Sequence, residues 1–228
     1  AEPAAYLPDL AMALNNLGIC LSAVGDQRAA LAHTEEAVRI RRRLAETEPA
    51  AYLPDLAMAL NSLGVCLSAV GDKRAALVPT EEAVSAYRRL AEAEPAAYLP
   101  DLAMALNNLG FRLSAVGDKR AALAPTEEAV SAYRRLAEAE PAAYLPDLAM
   151  VLWGFAWVRA AGQLDLDDAL TTIDEATAIY RSLAETLPDA FTGHLRAAIS
   201  THADVLDGLG RPDEAEELRG TLDEGHPE

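Results

Sequence analysis

The chain has 228 residues, of which 36 are acidic and 19 are basic, so its net charge at pH 7 is −17. A chain with this excess of carboxylates repels phosphate backbones, and the composition therefore argues against nucleic-acid binding. Hydrophobic residues make up 51% of the chain and aromatic residues only 5%. This composition predicts a core of closely packed alanine and leucine. No apolar run is expected to reach the roughly 20 residues of a membrane span.

A stretch of thirteen residues, PAAYLPDLAMALN, begins at Pro3 and recurs at Pro49 and Pro95, and the related PAAYLPDLAMVLW begins at Pro141. The period is 46 residues, which is typical of a stacked repeat array. We therefore predict a single solenoid over 1–228, with repeats at about 3–48, 49–94, 95–140 and 141–187 and a degenerate capping unit at 188–228. The opening letters AEP resemble the end of a preceding repeat, which suggests a fragment of a longer protein.

Each repeat has the pattern of two helices joined by a turn. In the second repeat, apolar residues recur at Leu56, Leu60, Leu63 and Leu67, the spacing of one helix face. No period-two alternation persists anywhere, so strands are not expected. The sequence therefore predicts an all-α fold, a right-handed superhelical solenoid of stacked helix-turn-helix repeats.

The boundaries of these helices are predicted from proline, glycine and aspartate. Pro54-Asp55 suits the first turn of the first helix, and Gly71-Asp72 suits the end of that helix and the start of the next. Pro79 and Pro125 then fall about two turns inside the second helices, where proline removes a backbone hydrogen bond. We predict a kink at each of them and a straighter helix at His33, which takes their place in the first repeat.

The polar residues give no sign of catalysis. Cys20 and Cys66 occupy equivalent places in neighbouring repeats, too far apart for a disulfide, and reduced thiols favour a cytoplasmic location. His194 and His202 lack the close partners of a metal site, so they are expected to be ordinary exposed histidines. The basic run at 39–43 is interpreted as a solvated helix face with i,i+4 ion pairs. Since no phosphate loop or nucleophile motif occurs, we expect neither enzymatic activity nor a cofactor.

The repeats resemble the tetratricopeptide repeat (TPR). In the first repeat the residues that carry the likeness are Leu14, Leu17, Gly18, Leu21, Ala30, Thr34 and Ala37, and each recurs 46 residues later. The aromatic positions of the family pattern are Leu and Thr here. The longer period is similar to that of kinesin light chain repeats, and the Arg-rich, Ala-rich text is similar to that of actinobacterial TPR arrays. The resemblance implies a scaffold that binds a peptide or protein segment; the alternative is a sensor or regulatory arm of a larger signalling protein.

In the family, the first helices line a concave groove, so the resemblance implies a candidate binding surface. It contains a polar ladder of Asn16, Ser62 and Asn108, together with methionines 46 residues apart that include Met58 and Met104. Asn amides can hold an extended peptide backbone, and Met adapts to varied partners. The alternative is that the methionines fill gaps between helices.

The fourth repeat departs from the pattern on this same face. Trp153 and Trp157 take the places of Asn107 and Phe111 and lie four residues apart on one helix face. Large aromatic side chains are typical anchors at binding surfaces. We therefore add Phe111, Trp153 and Trp157 to the candidate groove, while leaving open that the two tryptophans plug the solenoid where the repeat becomes irregular.

The two ends of the array are predicted to differ. The last helix is short and acidic, which suits a capping helix with a polar outer face. Leu10, Leu14 and Leu17 of the first helix have no such cover, so we predict self-association through that end or exchange of units between chains. Inside the array, Gly64 and Gly110 are expected to allow close contact between paired helices.

Overall fold

The computed structural model describes residues 6–223, and this part of the chain is all-helical, as predicted. Its ten helices are α1 Leu7–Ala23, α2 Gln27–Thr47, α3 Pro49–Ala69, α4 Leu77–Ala93, α5 Pro95–Ala115, α6 Lys119–Ala139, α7 Pro141–Gly162, α8 Leu166–Thr186, α9 Pro188–Gly208 and α10 Pro212–Asp223. Each odd-numbered helix is the first helix of a repeat and each even-numbered helix is the second.

The chain divides into two compact units, residues 1–116 and 117–228. In the first unit, α1 to α5 pack in chain order, and the first helices α1, α3 and α5 also contact one another in sequence. In the second unit, α6 to α10 pack in chain order, and α7 also contacts α9. Within each unit, the first helices therefore form one layer and the second helices another.

Three first helices begin five residues earlier than the sequence predicted. α3, α5 and α7 start at Pro49, Pro95 and Pro141, where proline removes only an N–H that would be unpaired in any case. Pro54 is consequently inside α3 rather than in its first turn. The prediction of a start at Pro54-Asp55 was wrong for this helix because the preceding AAYL segment is itself helical.

The Gly-Asp turns behave as predicted. Gly25 and Gly117 adopt φ values of 86° and 95°, the left-handed region that glycine enters without a Cβ penalty. Asp26 then caps α2 by accepting a hydrogen bond from the Ala29 N–H at 3.1 Å. Asp118 caps α6 in the same way.

The predicted kink at Pro79 was wrong, because Pro79 is not deep inside a helix. The regular helix α4 begins only at Leu77, and residues 73–76 form turns. Pro79 therefore lies in the first helical turn, where its missing N–H costs little. By contrast, α6 runs continuously past Pro125 and α2 past His33; a bend at Pro125 stays a prediction.

Close helix contacts depend on glycine facing threonine. A Cβ on Gly18 would lie 2.5 Å from the Thr34 Oγ1 atom, and a Cβ on Gly64 would overlap the Thr80 hydroxyl. Each threonine hydroxyl donates to the carbonyl four residues earlier at 2.8 Å, so it remains satisfied while buried. This confirms the role predicted for Gly64 and shows why the family's aromatic position holds a small residue here.

The basic run at 39–43 is not a uniformly solvated face. Arg41 is only 2% exposed, and its Nη1 donates to the Asp55 carbonyl at 2.8 Å, which joins α2 to α3. Burial lowers the pKa of Arg41. Arg42 pairs with Glu82 of α4, a partner in the next repeat instead of an i,i+4 neighbour. The sequence interpretation was wrong at these two positions because both partners are distant along the chain.

The histidines also differ from expectation. His194 is exposed and stacks on Tyr180 with ring centroids 5.6 Å apart. The His202 side chain is only 14% exposed, with its Nε2 3.4 Å from Asp174, so it is not an ordinary exposed histidine. The sequence missed this because Asp174 is contributed by α8, while His202 is on α9.

One first helix has an unusual composition. Among the described residues, α3 is the one helix whose length and mean hydropathy of 1.3 would suffice to cross a membrane, contrary to the sequence expectation. In the first unit, however, α3 is a core helix. Its Leu56 and Leu60 pack with Val38 of α2 and Ala83 of α4. A mostly apolar core helix meets the same compositional criterion as a membrane span.

Candidate functional site

Three positions on each first helix of the first unit share one face, exposed or half-buried, which we call the first-helix column. Its residues, spaced i, i+4 and i+7 on each helix, are Met12, Asn16 and Ile19 of α1, Met58, Ser62 and Val65 of α3, and Met104, Asn108 and Phe111 of α5. Met12, Met58 and Met104 are 52%, 41% and 42% exposed. Each methionine therefore has accessible surface on this face, and its role in binding stays a prediction.

The polar members of the column do not form one continuous ladder. The Asn108 Nδ2 donates to the Asn61 Oδ1 at 3.1 Å, which joins α5 to α3. The Ser62 hydroxyl donates to the Met58 carbonyl of its own helix at 3.1 Å. Asn16 is exposed. The three predicted ladder residues therefore share a face, but each has a different local role.

Sequence reasoning missed a second row of asparagines one residue earlier. Asn15 and Asn107 are 2% and 4% exposed, and the Oδ1 of each has no hydrogen-bond partner among the described residues. A buried amide oxygen without a partner loses the free energy of its hydration. The signal was available, because the doublet Asn-Asn places two amides on adjacent helix faces.

A cavity lies between α1, α2 and α3, and we call it the first-unit notch. It has a volume of about 390 Å³ and is lined by Gly18, Ile19, Ser22, Ala23, Thr34, Asn61, Ser62, Val65 and Cys66. Its floor includes the Cys66 Sγ, which lies 3.6 Å from the Thr34 hydroxyl oxygen. Two column residues, Ile19 and Val65, form its apolar rim, so the notch opens onto the first-helix column.

The first helices are nearly free of charge beside this column. Over 11–24, 57–70 and 103–116 the one ionisable carboxylate or cation is Arg112. Arg112 is 6% exposed, its Nη1 donates to the Asn108 carbonyl at 2.9 Å, and its Nε has no hydrogen-bond partner among the described residues. Burial lowers the pKa of Arg112 to about 10. Arg112 replaces the cysteine of the two earlier repeats, a substitution whose burial could not be predicted from the sequence.

In the second unit the two tryptophans have separate environments. The Trp153 Nε1 donates to the Thr201 hydroxyl of α9 at 2.8 Å, and the ring is half-buried. Trp157 is 37% exposed. Trp153 therefore joins two neighbouring first helices, as Asn61 does with Asn108, while Trp157 continues the register of Ile19, Val65 and Phe111.

A second cavity adjoins Trp157, and we call it the second-unit notch. It has a volume of about 160 Å³ and is lined by Trp157, Ala160, Ala161, Gln163, Thr201 and Asp204. When the repeats are aligned, Trp157 and Ala161 correspond to Ile19 and Ala23 of the first-unit notch, and Thr201 corresponds to Ser62. The two notches are thus the same feature of the repeat, built with different side chains.

Residues 10–49 and 102–141 each match the family described as the tetratricopeptide repeat. These two segments are tetratricopeptide repeats. Both matches run from a first helix into the start of the next repeat, so the matched segments contain the Gly-Asp turns and the glycines of the helix pairs. Among curated proteins, no significant match is found.

The fold of this chain is similar to that of several solved proteins. The nearly identical TPR-like repeats of a putative kinesin light chain from Podosopora anserina superpose with a TM-score of 0.71 at 19% identity, covering 96% of this chain and 94% of that one. BtubC (BKLC) from P. vanneervenii gives 0.70 at 19% identity, with coverage of 97% and 84%. YrrB, described as a TPR protein with an unusual peptide-binding site, gives 0.53 at 18% identity, with coverage of 90% and 80%. These likenesses confirm the long-helix TPR fold.

Proposed function

We propose that this chain is a non-enzymatic scaffold that binds a peptide segment along the first-helix column of its first unit. TPR folds generally serve as protein-interaction scaffolds, and the structurally similar YrrB is described by its peptide-binding site. The observation that carries the proposal is the column itself. It exposes three methionines and an apolar-rimmed notch on a surface that is almost uncharged, within a protein whose net charge is −17.

The composition of the column favours an apolar peptide in an extended conformation, whose backbone N–H and C=O groups can still form hydrogen bonds. Ile19 and Val65 offer a small side chain of the peptide an apolar site, while Ser22 and Ser62 at the same notch offer hydroxyls to its backbone. The exposed methionines adapt to side chains of varied shape on either side of that site. Because the column is almost uncharged, electrostatic attraction contributes little to binding, and we expect the affinity to depend weakly on salt.

In the second unit, we propose Trp157 as an anchor for a bound segment. The indole is partly exposed at the rim of the second-unit notch, on the same helix positions as Ile19 and Val65. A large aromatic ring at the centre of an interface is worth roughly 2 kcal/mol or more when a partner buries it. Trp153 serves the proposal indirectly, because its bond to Thr201 fixes α7 against α9 next to this notch.

The test begins with selection of peptides from a random library on the wild-type chain. A selected peptide is then titrated against Val65→Asp, which places a carboxylate on the rim of the first-unit notch. The matched control is Val78→Asp, on α4 outside the column, where the valine is 65% exposed. We expect Val65→Asp to weaken binding by at least about tenfold and Val78→Asp to leave it unchanged.

Equal losses in the two variants would contradict the assignment of the surface. Failure to select any peptide on the wild-type chain would contradict peptide binding itself. Since Val65 is 45% exposed, the carboxylate has access to water in the unbound chain, and the variant is expected to fold.

A further inference from the structure

The exposed face of α1 opposite its partner α2 is a second candidate interaction surface, independent of the first-helix column. Its residues are Leu10, Ala13, Leu14 and Leu17, spaced i, i+3, i+4 and i+7, and we call them the α1 strip. Leu10 and Leu17 are 45% and 43% exposed, Ala13 is exposed and Leu14 is half-buried. Among the described residues, α1 contacts only α2 and α3, so no second helix of a preceding repeat packs on this strip.

The same residues of α3 are covered. Leu56, Ala59 and Leu60, which correspond to Leu10, Ala13 and Leu14, are 7%, 0% and 0% exposed. They pack against Val38 and Ala45 of α2, the second helix of the preceding repeat, and against Ala83 of their own partner α4. The contact is completed by the hydrogen bond from the Arg41 guanidinium to the Asp55 carbonyl.

This interface recurs within each unit. In the first unit, Leu102, Ala105 and Leu106 of α5 are buried, and α4 is the second helix that packs on α5. In the second unit, Leu148, Val151 and Leu152 of α7 are buried, and α6 packs on α7. The text LPDLAMALN is identical in α1, α3 and α5, so the α1 strip carries the same chemistry as two faces that already bind a second helix.

We propose that the α1 strip is a docking site for an amphipathic helix with the composition of a second helix of this array. The α1 strip continues an interface that the chain already makes between its repeats. Second helices pack on α3, α5, α7 and α9, and among the described residues α1 is the first helix without a preceding second helix. The helix that fits has small or β-branched apolar residues where α2 has Val38 and Ala45. It also has a long donor at the place of Arg41, which reaches the backbone carbonyl of Asp9, the counterpart of Asp55.

A second copy of this chain fits the strip less well. Its helices α2, α4, α6 and α8 each already cover the first helix that follows them in the chain or lie in contact with it. Its α10 exposes Glu214, Glu216 and Glu217, and carboxylates lose hydration against leucine. Pairing of two α1 strips buries only four side chains a side, far less than the roughly 800 Å² per partner of a stable interface. Self-association therefore stays a prediction from sequence and becomes an outcome of the test.

The probe is a labelled synthetic peptide of residues 26–48, which contains α2 with its capping residue, added to the full chain. We expect saturable binding that weakens by at least about tenfold in the Leu17→Asp chain, because its counterpart Leu63 is partly buried against the apolar cluster to which α2 contributes. The matched control is Val24→Asp, at an exposed residue that follows α1 and belongs to neither surface, which should leave the affinity unchanged. In the peptide, Val38→Asp should abolish binding, while Arg39→Ala, at an exposed position of α2, should not.

A second measurement covers the case in which the free peptide does not become helical. A copy of residues 47–92 joined directly before Ala1 keeps the 46-residue period and places a second helix against α1. Leu17→Asp should then lower the thermal unfolding midpoint of the extended chain much more than that of the original chain. Equal shifts in the two chains would overturn the proposal. So would a dimer of the original chain that dissociates in Leu17→Asp, since the occupant would then be a second copy.

Discussion

The first-unit notch and the second-unit notch show how one repeat makes two different surfaces. In the first unit the notch has a volume of about 390 Å³, with Ile19 and Val65 at its rim and the Asn61–Asn108 hydrogen bond beside it. In the second unit the volume is about 160 Å³, with Trp157 and Asp204 at the rim. The helix positions are equivalent, so side-chain size and charge at a few positions decide what each notch accepts.

The support beneath the two notches differs as well. In the first unit, Gly64 faces Thr80 across the helix pair, and there is no room for a Cβ. In the second unit, Ala156 takes the place of glycine and Ile173 that of threonine, and both are fully buried. In the first unit the two helix backbones therefore approach closely at this point, whereas in the second unit apolar side chains occupy the equivalent space. We infer that the helix pair needs glycine at this position only where a threonine faces it.

The largest expected effect breaks this support in the first unit. Gly64→Leu should lower the free energy of unfolding by about 1–3 kcal/mol or more, because the side chain would overlap Thr80 and approach the Ala76 carbonyl. Urea denaturation measures the loss. Gly64→Ala combined with Thr80→Ala should recover part of it, since the second change removes the overlapping hydroxyl. An unchanged midpoint for Gly64→Leu would mean that α3 and α4 are paired differently.

The next effect concerns the hydrogen bond that joins first helices. Trp153→Phe keeps an aromatic ring but removes the donor to Thr201, and should cost about 0.5–1.5 kcal/mol. Thr201 keeps its bond to the Ala197 carbonyl, so the variant leaves no orphaned hydroxyl. A double-mutant cycle with Thr201→Ala isolates the bond. Additive effects in that cycle would show that the indole contributes by packing alone.

The smallest expected effect depends on pH and belongs to the second unit. Burial lowers the pKa of His202; Asp174 opposes this shift, and Arg211 and Arg181 add to it. The stability that the neutral ring contributes is fully present above its unfolded pKa of about 6.5 and is lost as the pH falls through the lower folded pKa. Thermal unfolding at neutral and acidic pH should therefore show a larger loss for the wild type than for His202→Gln. Equal losses of thermal stability in the two proteins would mean that the His202 ring is exposed to solvent.

Much of the fold could be predicted from the sequence because its signals are local. The Gly-Asp turns and the apolar helix spacing each lie within one repeat, and the 46-residue period follows from comparing the repeats along the chain. The start of α3 was placed too late, at Pro54, because Pro54-Asp55 suits a first helical turn while Pro49 also suits a helix start. Pro79 was misjudged for a related reason, since the turn at 73–76 that precedes α4 has a helical composition.

The candidate site was less predictable because its details depend on contacts between repeats. Trp153 meets Thr201 across 48 residues, and Asn61 meets Asn108 across 47. From the sequence, Trp153 and Trp157 differ only in register, yet one is held between helices and the other reaches the surface. Arg112 stands where earlier repeats have cysteine, and its burial follows from the neighbouring helices. Such facts require the three-dimensional arrangement.

The most direct test of the proposed binding surface uses the methionines. Met12, Met58 and Met104 all lie on the first-helix column and are exposed, so mild peroxide should oxidise each of them in the unbound chain. The measurement is mass spectrometry of these residues with and without a saturating, methionine-free peptide selected on the wild-type chain. Bound peptide should protect at least Met58 and one neighbouring column methionine from oxidation. Unchanged oxidation of all three at saturation would contradict this expectation, because the peptide would then bind elsewhere.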